Sequence, residues 1–205
     1  MTSDPGPAAR VLLLAGASGS GKTYVAKSTG LPVLALDDFY ADGDDPALPR
    51  SRSGAVDWDD PRSWRRADAV EAIVALCTTG RAEVPIYAIA HDRAEGVRVL
   101  TLDDAPAFVA EGIFAAEIVA DCRAAGVLGG AFVLRRPRHV TWLRRLVRDL
   151  RERRKPPLLL LRRGWALLRA EPALLAHQAA LGCVPGSART VRAAAAALCR
   201  RPAAR

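Results

Sequence analysis

The sequence predicts an α/β fold, with a mostly parallel central sheet flanked by helices. Short apolar runs at 10–15, 32–36, 107–112 and 131–134 read as strands buried on both faces. Segments of helical periodicity alternate with them, which is the pattern of a parallel sheet. A glycine-rich loop joins the first run to a helix.

With 205 residues, half of them hydrophobic and a quarter charged, the chain fits one globular domain over 1–205 and not a disordered or fibrous one. Residues 1–9 read as a loose lead. Run 10–15 (RVLLLA) is the first strand, 22–28 a short helix and 32–36 the second strand. The stretch 41–57 is rich in Asp, Pro, Gly and Ser and predicts a long, functional loop on the substrate side. Asp60-Pro61 predicts a helix start, with Asp as N-cap, for a helix carrying Trp64, Ile73 and Leu76 and ending near Gly80. Runs 83–89 and 97–102 predict an antiparallel flap. Then come strand 107–112, a helix over 115–125 and strand 131–134. Pro137 opens a long basic helix to about 155, closed by Pro156-Pro157, and a helical tail covers 156–205.

No apolar run approaches the roughly 18 residues of a membrane span, and no early basic cluster suggests a secretory leader. The cysteines (Cys77, Cys122, Cys183, Cys199) form no CxxC pair and read as isolated thiols in a reducing, cytoplasmic setting. Charge is uneven. Residues 1–134 hold 12 basic and 19 acidic side chains, whereas 135–205 hold 18 basic and 3 acidic. That imbalance suggests an anionic contact for the last third, or a solvated arginine face.

Gly16, Ala17, Ser18, Gly19, Ser20, Gly21, Lys22 and Thr23 match GxxxxGK[ST] between a strand and a helix. Glycines let successive N–H groups turn inward on phosphate oxygens. Lys22 is placed to neutralise β- and γ-phosphates, and the Thr23 hydroxyl to ligate Mg²⁺. Tyr24, next on the helix, completes the stretch expected to bind nucleotide. The glycines do not fit the dinucleotide pattern GxGxxG. Two later runs end in acids, Asp37-Asp38 and Glu111. Ligands of a parallel sheet bind beyond its C-terminal strand ends, so Asp37 and Glu111 are expected to hold Mg²⁺ or accept a proton. Asp38 reads either way, as a functional acid or a helix cap. On the basic helix, Arg145/Asp149, Arg148/Glu152 and Asp149/Arg153 are i,i+4 pairs, yet arginines are left over. A delivered arginine accelerates phosphoryl transfer by about 10³–10⁵.

Taken in order, GASGSGKT (16–23), LDDFY (36–40), VDWDDPRSW (56–64), VPIYAIAHDR (84–93), VAEGIF (109–114) and RRLVRDLRERR (144–154) resemble the uridine kinase group of P-loop kinases. The resemblance covers about 10–155. It implies a three-layer, nucleoside-kinase-like P-loop fold, an Arg-rich lid over 137–155 and a cytoplasmic enzyme that uses ATP and Mg²⁺. The implied reaction moves the γ-phosphate to a small-molecule hydroxyl, foremost the 5′-hydroxyl of uridine, cytidine or a related nucleoside. Asp37 then matches the base that contacts this hydroxyl, with Lys22, Arg148 and Arg153 as its catalytic companions. Thr23, Asp37 and Glu111 match the metal site. Tyr40, Trp58, Asp59, Tyr87, His91 and Arg93 match the nucleoside pocket, and Arg145, Arg148 and Arg153 the lid. Core packing is the other reading of the three aromatics, and a plain turn residue that of His91. The chain departs from the family at Asp60, Ala88 and Arg154. Two rivals stand beside this reading. One is a same-fold kinase for a pantothenate-, sugar- or natural-product-like acceptor. The other is a nucleotide-dependent module gripping nucleic acid, which the few aromatics of the C-terminal half and the absence of a known RNA or DNA motif disfavour.

Overall fold

The computed structural model describes residues 7–51, 54–136 and 157–200, with the side chains of 157–168 excepted. The expected basic helix at 137–155 lies outside the described residues.

Strand β1 (Arg10–Ala15) leads into helix α1 (Lys22–Lys27), and β2 (Val33–Ala35) follows. Helix α2 (Arg66–Thr79) ends at Gly80, whose positive φ of 73° makes the C-cap. The antiparallel hairpin β3 (Arg81–Ala88) and β4 (Arg93–Thr101) comes next, then β5 (Ala107–Glu111), α3 (Val119–Ala124) and β6 (Leu128–Leu134). Helix α4 (Pro157–Ala180), strand β7 (Val184–Gly186) and helix α5 (Ala188–Cys199) complete the described chain.

Five strands form one parallel sheet in the order β2-β5-β1-β6-β7. Alternation along the central strand builds the layers. Val11, Leu13 and Ala15 join Ile73, Leu76, Ile118 and Val119 on one face. Leu12 and Leu14 join Val25, Ala26, Val191 and Ala195 on the other. Both faces are covered, so the strands read as continuous apolar runs. Each fully buried Leu or Val contributes about 1.5–3 kcal/mol.

Three expectations are corrected. Asp60 does accept from the Arg62 N–H at 2.9 Å, but it caps only a 3₁₀ turn, Pro61–Ser63, and the α-helix begins at Arg66. Trp64 imposes the break. It is extended, bridges to Tyr40, and donates from Nε1 to the buried Leu36 carbonyl at 2.7 Å. A tertiary hydrogen bond here outweighs local helix propensity. Second, β2 stops at Ala35, and Asp37 and Asp38 ride a 3₁₀ turn, Leu36–Phe39. Third, β7 carries Pro185 and was expected to be helical tail. It is an edge strand, where a proline is tolerated.

Cys77, Cys122 and Cys183 are buried and free, and Cys199 is exposed. Burial pushes the Cys77 and Cys122 thiols up to about 12, so they are inert at neutral pH. Among the described residues no helix is long and apolar enough to cross a membrane.

Candidate active site

The chain leaves β1 at Ala15 and turns at once. Gly16, Gly19 and Gly21 hold φ of 145°, 82° and 88°, conformations that L side chains rarely adopt. The Ser20 N–H donates to the Ala17 carbonyl at 3.1 Å and closes the turn. The Ser20 Oγ is buried and has no hydrogen-bond partner. An orphaned hydroxyl inside a glycine cradle leaves a hydrogen bond for a ligand to make. Lys22 is buried at 8% exposure, and its Nζ donates to the Ala17 carbonyl at 3.3 Å. Beside it, the Thr23 hydroxyl donates to Glu111 Oε1 at 2.6 Å, across 88 residues of sequence.

That contact ties the loop to the end of β5. Glu111 is buried, and burial pushes its carboxyl above the ordinary 4.5; Lys22 and the Thr23 hydroxyl pull it down, while Asp37 pushes it up. Asp37 itself is exposed, with Oδ1 close against Gly112, the residue after Glu111. A Cβ on Gly112 would lie 3.3 Å from that oxygen and 2.8 Å from Leu36 Cβ. Gly112 is therefore the only residue type that lets the two acid-bearing segments approach this closely.

Asp38 turns away from the site. It pairs with Arg98 of β4 at 3.3 Å, and burial holds its carboxyl above the ordinary range despite the guanidinium. Arg98 emerges here as a residue that pins the acidic turn to the hairpin. Its signal in the sequence was slight, a lone cation inside an apolar run.

The aromatic residues do come together. The Tyr40 ring lies 5.7 Å from Trp58, 6.0 Å from Tyr87 and 5.9 Å from Phe114, centroid to centroid. Phe114 in turn meets Trp64 at 5.8 Å. Sequence reading missed Phe114 and Trp64 as members of this wall. The Tyr40 hydroxyl donates to the Trp58 carbonyl at 3.3 Å and the Tyr87 hydroxyl to the Ala41 carbonyl at 3.1 Å. Burial pushes the Tyr87 phenol up to about 12. His91 occupies the hairpin turn, paired with Glu95, and Arg93 lies 3.9 Å from Asp44. Both side chains are largely exposed. Asp59 is exposed, and its backbone N–H donates to Asp57 Oδ1 at 3.2 Å. Tyr24 is 71% exposed on α1. Arg145, Arg148 and Arg153 lie outside the described residues.

No family model matches the chain. A curated relative, uridine kinase of Saccharomyces cerevisiae, is 31% identical over 116 residues; the match covers 51% of this chain and 22% of the relative's length. Among solved structures, a candidate fructose transport system kinase from Silicibacter sp. TM1040 superposes with a TM-score of 0.60 at 20% identity, covering 84% of this chain and 88% of that one. A possible uridine kinase from Bacillus stearothermophilus has a TM-score of 0.45 at 20% identity, over 69% of this chain and 78% of its own. The chain shares the fold of the Silicibacter structure, about half of it is similar to part of the yeast uridine kinase, and it spans about a fifth of that relative's length.

Proposed function

We propose that the chain is a phosphotransferase that moves the γ-phosphate of ATP to a hydroxyl of a small molecule, with the 5′-hydroxyl of a pyrimidine nucleoside as the favoured acceptor. The observation that carries this reading is the convergence at Glu111: the loop's Thr23 bonds it, and Asp37 stands beside the next residue.

The chemistry follows from that convergence. Backbone N–H groups of the loop other than that of Ser20, and the Lys22 ammonium, hold the phosphates and take up charge as it builds on the transferred group. Asp37 accepts the acceptor's hydroxyl proton. The new O–P bond forms at the γ-phosphorus while its bond to the bridging oxygen breaks, and ADP leaves. Thr23, Asp37 and Glu111 offer hard oxygens of the kind Mg²⁺ takes, with its other positions left to water and phosphate, and the bound ion would neutralise phosphate charge. Asp37 and Glu111, once ionised, repel each other, and a cation between them offsets that repulsion. Arg145, Arg148 and Arg153 serve, on the family resemblance, as the lid that excludes water. Trp58 and Tyr40 wall the acceptor side, and Asp59 is exposed there to receive hydroxyls.

One observation favours a second acceptor class. Both tyrosine hydroxyls already donate to backbone carbonyls, and His91 and Arg93 are paired with acids. That leaves fewer groups to read a base, and suits a sugar-like polyol recognised by ring walls and carboxylates. Acceptor-dependent ADP release across nucleosides, free sugars, pantothenate and glycerol-type alcohols decides the matter. The reading expects a nucleoside to give the highest kcat/KM. A sugar that exceeds every nucleoside replaces the acceptor, and no acceptor at all refutes the kinase.

A further inference from the structure

The two acids flank the loop on one side only. In the sheet, β5 and β2 lie to one side of β1, and they carry Glu111 and lead into Asp37. On the reading above, the transferable end of the nucleotide faces that side. Its nucleoside end therefore faces the other, where β6 and β7 finish.

Two arginines follow β6 there. The register sets Val133 beside Ala15 and Leu134 beside Gly186, and the Arg135 N–H donates to the Gly186 carbonyl at 3.1 Å. The chain thus passes directly alongside the phosphate loop. A Cβ on Gly16 would stand 3.3 Å from the Leu134 carbonyl and 3.2 Å from the Ser20 Oγ, so the end of β6 and the loop's orphaned hydroxyl both lie close against Gly16. Arg135 is exposed, but Arg136 is half-buried and its Nε is buried without any hydrogen-bond partner. Among the buried side-chain polar atoms of the described residues only three lack partners, and two of them belong to Ser20 of the loop and to Arg136, two residues after Leu134.

An arginine cannot shed its charge, so a buried, unpaired Nε is costly unless an anion completes it. A guanidinium also matches phosphate oxygens with two parallel donors, which a lysine cannot do. We propose that Arg136 is a fixed binding residue for the donor nucleotide, holding the phosphate nearest the nucleoside while Lys22 holds the outer ones. It is set in place by β6, separate from the arginines at 145–153, and serves ground-state binding and not the transfer step. This rests on the function proposed above.

Titration calorimetry with ADP on the full chain tests it, using the wild type, Arg136→Ala and Arg136→Lys, with ATP steady-state kinetics beside it. Losing a charge-assisted hydrogen bond weakens binding by about tenfold or more. Arg136→Ala is expected to weaken ADP by that factor and to raise the ATP KM equally. It should leave kcat and the acceptor KM within about threefold and the ligand-free thermal midpoint no lower. Arg136→Lys should recover part of the affinity, because it keeps the charge and loses the fork. If Arg136→Ala does not fold, Arg136→Lys alone must still weaken ADP several-fold. Substitutions that leave ADP affinity within twofold of wild type overturn the assignment, as does a fall in kcat with unchanged ATP KM. Failure of the wild type to bind ADP instead overturns the function on which it rests.

Discussion

Replacing Gly112 with Ala tests whether the site depends on how closely two chain segments approach. The added Cβ would meet Leu36 Cβ at 2.8 Å, against the 3.4–4 Å of ordinary contact. Leu36 Cβ is fixed to the backbone, so it cannot swing aside as a side-chain tip would. The turn bearing Asp37 must therefore retreat by about 0.6 Å or more. Two magnitudes follow. Overpacking costs about 1–3 kcal/mol, which in a chain of this size lowers the thermal midpoint by roughly 2–12 °C. Misplacing a reacting group by about 1 Å costs about 10²-fold, so kcat should fall by about 10- to 100-fold. The phosphate loop is not in the clash, and ADP affinity should stay within about threefold. Calorimetry for ADP, a thermal melt and acceptor-dependent ADP release give the three readouts. A destabilised Gly112→Ala protein with kcat within twofold of wild type would refute the claim that Asp37 must sit against Gly112.

Three further outcomes follow from the same contacts. Trp64→Phe removes the donor to the buried Leu36 carbonyl and should cost about 1–3 kcal/mol in urea denaturation; an unchanged midpoint contradicts the role given to Trp64 in holding the acidic turn. Burial raises the Glu111 carboxyl above 4.5, so the stability it confers is complete below that pH and is lost as pH rises through the raised value. Glu111→Gln should accordingly match wild type near pH 4 and gain on it towards pH 8, and a gap that shrinks with rising pH contradicts the direction. Lys22→Ala should abolish measurable ADP binding by calorimetry while the protein still melts cooperatively, because its ammonium lies inside the phosphate cradle.

The central layers were legible because strands buried on both faces need unbroken apolar runs, and RVLLLA and AFVAE supply them. The phosphate loop was legible because positive φ at Gly16, Gly19 and Gly21 demands glycine at fixed spacing. The start of α2 was not, because Asp60-Pro61 carries every local sign of a helix start. Only the distant Leu36 carbonyl, claimed by Trp64, breaks the helix there. Strand β7 was hidden by its proline and its three-residue length. Asp37 and Asp38 look alike in sequence. Their separation depends on Arg98, some sixty residues away, which takes one of them and leaves the other free to face the rim. Arg136 carried no signal of its own within a run of arginines. Its distinction is a buried Nε, which only packing creates.

Acceptor-dependent ADP release by Asp37→Asn, measured beside ADP binding by the same protein, tests the central claim most directly. The account predicts that turnover falls by at least about 10²-fold, as loss of a positioned general base requires, while ADP still binds as in the wild type. Turnover close to wild type, with Asp37 unable to take a proton, would contradict it.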